Sequence, residues 1–341
     1  MKRTGLPPTS RVSLKSRDSD LGLLRTFCIS HVKDVDGVGA AAIVMAATGA
    51  ELKLSEYAVL MEDLGSVPQG IDRFVLCDLG SDNSNATEFI GKMTKLAARA
   101  EVVYIDHHFM SDANVKRLRA AGVKVVHDEL ECSSMLAYKT FAGQVPEGAK
   151  TIALMGAVTD YMDDSPMAKR MMEQSDRQFV LLESTLLAYA MANRGKEAGF
   201  AERMAGKLAA MKLPHEIEGV PGSAVKQLEA VVKLGKEVKK SGVRLGNLAY
   251  MVTAQHSTGN VAKLLIGAFG VPVGVALKEQ EEGWYEVSLR GTSECKVHLG
   301  KTISGVASKL GGNGGGHRKA AGCRIPRREM KALLAQLSRR V

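Results

Sequence analysis

The chain has 341 residues, enough for two domains of ordinary size, and at 45% hydrophobic residues each can bury a substantial core. A net charge of +9 and a pI near 9.2 point to polyanionic partners such as nucleic acid or nucleotides. Only 5% of residues are aromatic, which argues against an extended stacking platform for long single strands, and no apolar run is long enough to span a membrane.

The first 22 residues, with Lys2, Arg3, Arg11, Lys15 and Arg17, lack an apolar signal core and read as a flexible basic tail. From Thr26 onward short apolar runs alternate with helical patterns. Thr26–Ile29, Glu56–Leu60, Arg73–Cys77, Val102–Ile105 and Val123–Val126 read as strands; Val38–Thr48, Asn85–Ala100 and Ser134–Phe141 read as helices. Strands separated by helices of this length imply βαβ units and a mainly parallel sheet. Residues 174–211 read as helical, Pro214, Gly219 and Pro221-Gly222 break the pattern, and a basic helix over Ala224–Lys240 reads as a connector. A second α/β unit follows, with strands near Leu248–Val252, Val273–Leu277 and Trp284–Leu289 and helices near Val261–Phe269 and Ile303–Leu310. The expected organisation is an α/β chain: an N-terminal parallel-sheet domain over 23–215, a helical linker over 216–243 and a smaller α/β domain over 244–341, with the active site in the cleft between them.

Acidic and imidazole residues follow the strands directly. His31, Asp34 and Asp36 follow the first, Asp78 follows Cys77, and Asp106-His107-His108 follow Ile105. Asp160 ends a fourth apolar run, Ile152–Val158, whose type the sequence leaves open. The carboxyl ends of parallel strands share one edge, so these groups can converge although they are distant in sequence. Taken alone, Asp34-Val35-Asp36-Gly37 is equally a turn and helix cap, and Asp160 with Asp163 and Asp164 is equally a solvated loop. Together they form a ligand set of carboxylates and imidazoles without thiolate, which suits Mn²⁺ or Mg²⁺. So many carboxylates suggest two ions, ~3.5–4 Å apart, and phosphoester hydrolysis as the reaction class.

A second signal is Gly311-Gly312-Asn313-Gly314-Gly315-Gly316-His317-Arg318-Lys319. It reads as a glycine-rich loop whose backbone N–H groups could approach a phosphate while the basic residues add charge, though it does not fit the Walker pattern. Arg290, after the strand Trp284–Leu289, is a candidate partner, equally readable as a rim salt bridge. The five cysteines, 28, 77, 132, 295 and 323, are scattered, imply no disulfide framework and point to the cytoplasm; Cys77 should face the core, opposite Asp78.

The Asp106-His107-His108 triplet with the motifs around it resembles the DHH phosphoesterase superfamily from about Thr26 to Pro326, and Gly314-Gly315-Gly316-His317 resembles the DHHA1 domain of nanoRNases and RecJ-type nucleases. The resemblance implies two Mn²⁺ ions, with Mg²⁺ or Co²⁺ as substitutes. His31, Asp34 and Asp78 would hold one and Asp36, Asp78, His107 and Asp160 the other; Asp106 would orient ligands and His108 would meet the substrate phosphate. Gly314, Gly315, Gly316, His317, Arg318 and Arg290 would bind the far end of the substrate. His31 lies three residues before Asp34, where familiar family spacings are two or four. The bare two-domain length is most similar to the nanoRNase group. The expected activity is hydrolysis of short single-stranded RNA, DNA or nucleotide substrates by a chain free of membrane and compatible with a homodimer. A RecJ-type exonuclease on longer strands, a pAp phosphatase, a cyclic-dinucleotide phosphodiesterase and a catalytically silent replication scaffold are the alternatives.

Overall fold

The computed structural model describes residues 24–81, 85–316 and 318–341; the expected basic tail and His317 lie outside them. The first half alternates β1 (Thr26–His31), α1 (Val35–Thr48), β2 (Glu51–Ser55), α2 (Leu60–Gly65), β3 (Arg73–Cys77), α3 (Ala86–Ala97), β4 (Glu101–Asp106), α4 (Asp112–Ala120) and β5 (Lys124–His127). The strands form one parallel sheet in the order β2-β1-β3-β4-β5. The chain thus starts in mid-sheet and winds outward both ways. Ser30 pairs with Cys77 and Cys77 with Ile105, so β1, β3 and β4 end level and side by side.

The strand pleat separates two cores. Cys28, Val75, Cys77, Val103 and Ile105 face one side, where they pack with α1, α5 (Ser133–Thr140), α6 (Ala149–Thr159), α8 (Arg177–Arg194) and α9 (Phe200–Ala209), which flank the short α7 (Pro166–Glu173). Phe74, Leu76, Val102 and Tyr104 face the other, against Leu60 and Leu64 of α2, Phe89 and Met93 of α3 and Leu118 of α4. Cys77 therefore points into the core, as alternation requires. Helix α1 is apolar or small along most of its length and is buried on nearly every side, so it lies as a central helix against the sheet.

Helix α10 (Val220–Ser241) leads to a second sheet. This comprises β6 (Val243–Leu245), β7 (Leu248–Thr253), β8 (Val273–Gln280), β9 (Trp284–Gly291), β10 (Asn313–Gly316) and β11 (Ala320–Pro326), ordered β10-β11-β9-β8-β7-β6. Only β7 and β8 run parallel. Its two faces are covered by α12 (Leu299–Lys309) with α13 (Met330–Ser338), and by α10 with α11 (Thr258–Phe269).

Several expectations are corrected. The strand expected at Glu56–Leu60 is a turn leading into α2; the edge strand is Glu51–Ser55, and Tyr57 and Val59 are exposed. The continuous helical stretch over 174–211 is two helices, α8 and α9, broken between Gly195 and Gly199. The connector buries Val220, Ala224, Leu234 and Val238, and leaves Val225, Leu228 and Val232 exposed. The glycine run is not a loop: Asn313–Gly316 is an edge strand paired to β11. Close approach explains the glycines, since a Cβ on Gly300 of α12 would lie 1.9 Å from the Gly316 carbonyl oxygen and one on Gly314 would lie 2.5 Å from Cys323 Cβ.

Candidate active site

The level ends of β1, β3 and β4 bring the strand-end residues together. His31 closes β1 and Asp34 caps α1, its Oδ1 accepting from the Gly37 N–H (2.9 Å) while its Oδ2 stands 2.7 Å from His31 Nδ1. The cap expected of Asp34 is present on one oxygen, and the other faces His31. Asp36 is not in the loop but inside the first turn of α1 and fully buried. Asp78 follows β3 with a left-handed backbone, φ 58°, a conformation Asp tolerates better than most residues.

Asp78 lies between two groups. Its Oδ2 is 3.4 Å from His31 Nδ1, and its Oδ1 is 3.4 Å from His107 Nε2. His107 Nε2 is also 3.3 Å from Asp160 Oδ2 and 3.9 Å from Asp36 Oδ2. His31, Asp34 and Asp78 form one cluster with ligand atoms within 4.8 Å of one another, and Asp36, His107 and Asp160 form another. Asp160 arrives differently from the rest: its apolar run is helix α6, and it sits at that helix's C-terminus instead of at a strand end. Three segments of the site therefore come from the sheet edge and the fourth from a helix end packed over it.

The surrounding shell has two devices that the sequence did not reveal. The backbone N–H groups of Ser133 and Ser134, at the start of α5, donate to Asp36 Oδ2 and Oδ1 at 2.8 Å each. First-turn N–H groups have no partner within their own helix, so they make a natural carboxylate seat. The Ser133 hydroxyl donates to Asp78 Oδ1 at 2.9 Å. Gly156 of α6 leaves room for this seat: a Cβ there would lie 2.0 Å from Ser134 Oγ and 2.5 Å from Asp36 Oδ1. Asp106, fully buried, accepts from the Tyr104 hydroxyl on Oδ2 (2.6 Å) and from His108 Nδ1 on Oδ1 (2.8 Å). The other ring nitrogen of His108, Nε2, lies 3.0 Å from the Tyr57 hydroxyl, and His127 Nε2 donates to the His108 carbonyl (2.6 Å).

Charge in this pocket is crowded. Burial disfavours a charged His31, yet Asp34 and Asp78 outweigh it and hold the ring up to about 10. His107 is likewise disfavoured by burial but is lifted by Asp78 and Asp36 to about 10. Burial and then Asp78 raise Asp36 to about 6; burial and then Asp36 raise Asp160 to about 8. Asp78 is opposed by burial but is drawn well below the usual carboxylate range by His107 and His31. Without protons or cations, so many buried carboxylates would repel one another. His31 Nδ1 is buried between the Asp34 and Asp78 carboxylates, at 2.7 and 3.4 Å, an arrangement of one imidazole and two carboxylates that a shared cation would suit. The donor set of oxygen and imidazole nitrogen fits Mn²⁺ or Mg²⁺.

The second domain meets this region through Lys319, whose Nζ is 3.0 Å from Asp164 Oδ2, and Lys263, whose Nζ sits 4.7 Å from the Tyr161 ring centroid. Arg290, next to last in β9, is half-buried: its Nη1 donates to the Leu289 carbonyl (2.9 Å), its Nη2 would lie 3.0 Å from a Cβ on Gly259 in the first turn of α11, and burial lowers its pKa. Gly314, Gly315 and Gly316 lie in the edge strand β10, and the exposed Arg318 donates to the Lys296 carbonyl at 3.5 Å. No ion pair joins Arg318 to the acidic cluster among the described residues.

A parallel-sheet domain with this edge cluster, followed by a mixed-sheet domain, has the architecture of a two-domain phosphoesterase. The chain belongs to the DHH family: residues 25–162 match the DHH family N-terminal domain, and residues 245–341 match the DHHA1 domain. The fold is similar to that of the pGpG-specific phosphodiesterase PggH from Vibrio cholerae, at 12% identity and a TM-score of 0.58, covering 93% of this chain and 100% of that one. It is similar to RecJ in complex with Mn²⁺ from Thermus thermophilus, at 16% identity and TM-score 0.58, covering 93% of this chain and 52% of that one. CDC45 from Entamoeba histolytica shares the fold too, at 10% identity and TM-score 0.53, covering 93% and 95%. Comparison with curated protein sequences finds no match. The five cysteines are all buried and free, and no helix among the described residues is long and apolar enough to cross a membrane.

Proposed function

We propose that this protein is a Mn²⁺-dependent phosphodiesterase that hydrolyses short oligonucleotides between its two domains. The observation that carries this reading is the Asp78 carboxylate, one oxygen 3.4 Å from His31 in the cluster with Asp34, the other 3.4 Å from His107, which also belongs to the cluster of Asp36 and Asp160. His31, Asp34 and Asp78 would hold one ion, and Asp36, Asp78, His107 and Asp160 the other. Two such ions supply Lewis acidity, acidifying water and neutralising phosphoryl oxygens.

The remaining residues position and exclude. The α5 N-terminus fixes the Asp36 carboxylate, and Ser133 fixes Asp78, so the donor set is arranged before any ligand arrives. Asp106 holds Nδ1 of His108 and thereby aims Nε2 outward, where it can donate to a phosphate oxygen once Tyr57 yields. Arg290, near the end of β9, would supply positive charge for the scissile or neighbouring phosphate. The outer edge of β10 offers backbone N–H groups, and Arg318 offers a guanidinium, for the far end of the substrate.

The test is a Mn²⁺ activity panel of dinucleotides, longer RNA and DNA ladders, pAp, linear and cyclic dinucleotides and pyrophosphate. Preference for dimers through pentamers supports the reading. Activity that persists or rises with strand length would transfer it to a RecJ-type exonuclease. No hydrolysis of any of them, or full activity in Asp106→Ala and His107→Ala variants, would remove it and leave a scaffold role.

A further inference from the structure

Tyr161 follows Asp160 at the end of α6 with a left-handed backbone, φ 60°. The Met162 N–H reaches the Ala157 carbonyl (2.8 Å) and the Tyr161 N–H the Val158 carbonyl (3.3 Å). That pattern is the Schellman helix ending, in which the left-handed position is ordinarily glycine, because a Cβ is strained there. A tyrosine at this place is disfavoured by its own backbone. Such outliers persist where the surroundings fix them, and they concentrate at functional sites.

The ring is not buried to offset that strain: Tyr161 remains 45% exposed. It stands beside Asp160 on the seam between the domains. From across the seam the exposed Lys263 of α11 places its ammonium 4.7 Å from the ring centroid. A cation over one face fixes the ring's orientation, and the residue's 45% exposure leaves aromatic surface open to a stacking partner. Arg290, whose Nη2 would lie 3.0 Å from a Cβ on Gly259 in the first turn of α11, adds a second cation to the helix that carries Lys263.

We infer that Tyr161 is a nucleobase-stacking platform, clamped by Lys263, that holds the base next to the scissile phosphate against the Asp160 side of the site. The inference rests on the phosphodiesterase reading above and adds to it a specificity element: the enzyme would require an aromatic base, and purines, with the larger π-surface, would bind better than pyrimidines. Stacking one base on an aromatic side chain is tolerant of sequence, so purine preference without strict base identity is expected.

The test compares wild type, Tyr161→Gly and Tyr161→Phe on a di-adenosine dinucleotide and on an analogue lacking one base. Glycine accepts the left-handed backbone, so the first variant removes the ring with little disturbance to the α6 ending. The ratio of kcat/KM for the dinucleotide to that for the analogue is expected to fall roughly tenfold or more in Tyr161→Gly, chiefly through KM, as loss of a base–aromatic stack implies. Tyr161→Phe is expected to restore the ratio. A ratio within twofold of wild type in Tyr161→Gly overturns the inference. So does an equal loss on both substrates, which would make the ring only a joint between domains. If wild type hydrolyses neither substrate, the phosphodiesterase reading fails by itself. Binding of AMP against ribose 5-phosphate, measured by calorimetry with Mn²⁺, then decides the platform: a tenfold weaker AMP affinity in Tyr161→Gly supports it, and equal affinity overturns it.

Discussion

Replacing Tyr104 by Phe removes one hydroxyl from the most enclosed part of the site. Tyr104 and Asp106 are both fully buried, and the hydroxyl donates to Asp106 Oδ2 at 2.6 Å. Phe keeps the ring and its edge contact with Phe89, whose centroid lies 5.5 Å away, so packing is preserved and the hydrogen bond alone is lost. A buried bond to a charged acceptor is worth about 1.5–3 kcal/mol, and the stranded oxygen finds no water to replace it. The variant is therefore expected to lose roughly 2 kcal/mol, about a thirtyfold fall in the ratio of folded to unfolded protein. Urea unfolding of the metal-free protein, followed by the transition of the first domain, measures it. Burial works to raise the Asp106 pKa, but His108, then His107 and the Tyr104 hydroxyl, hold it below the ordinary carboxylate value. A depressed carboxylate stabilises the fold above its unfolded pKa, and that support is lost as pH falls through the folded value. The gap between wild type and variant should therefore stay constant from pH 7 to about pH 4 and shrink below that. A difference under about 0.5 kcal/mol at pH 7 would refute the reasoning, since it would mean that the hydroxyl contributes no more than a surface bond.

Four further outcomes are expected. Because His31 and His107 are held to about 10 and Asp160 to about 8, all three carry protons at pH 7 before cations bind. Mn²⁺ binding should then release roughly two or more protons, seen as a binding enthalpy that varies with the ionisation enthalpy of the buffer; a buffer-independent enthalpy would contradict it. The same raised imidazoles stabilise the metal-free fold fully below about pH 6.5, and that contribution is lost as pH climbs toward 10, which thermal unfolding across that range would register. Gly156→Ala should weaken Mn²⁺ binding about 10- to 100-fold by displacing the Asp36 seat, read by titration. Gly206→Ala in α9, where a Cβ would meet nothing within 4 Å, should instead stabilise the fold by about 0.5–1 kcal/mol.

The strand-end residues were legible because each comes directly after an apolar run, and a parallel sheet brings such ends to one edge. Asp160 was found, but its setting was not. Ile152 to Ala157 are all buried, and a run buried on every side has no period to tell helix from strand. Edge strand β2 was misplaced because Glu51–Ser55 alternates weakly with charge, whereas the apolar Tyr57-Ala58-Val59 beside it reads more strongly yet lies exposed in a turn. That error also hid Tyr57, the partner of His108. Ser133 and Ser134 gave no signal, since serine at a helix start is an ordinary capping residue and its backbone N–H groups carry no sequence signature. The glycine run was noticed for the right composition but assigned the wrong shape. Its glycines admit α12 against the β10 backbone, a tertiary demand that no local pattern expresses.

The left-handed backbone at Asp78 explains how one carboxylate serves both clusters. Cys77 points to the core on the α1 and α5 side of the sheet, as do Val75 and Ile105. Strict alternation would send the next side chain to the opposite face, toward Leu76 and Leu79. The turn at φ 58° ends the alternation one residue after β3, and the carboxylate stands instead where the Ser133 hydroxyl of α5, His31 and His107 all reach it. That conformation costs a non-glycine residue about 1–2 kcal/mol, and three polar partners on a buried carboxylate more than offset it. Removing those partners one at a time should therefore expose the strain progressively. Ser133→Ala leaves both imidazoles in place and should shift the balance least, while His107→Ala removes the imidazole that, with the Ser133 hydroxyl, holds Oδ1 and should shift it most, as urea unfolding of the two variants would measure.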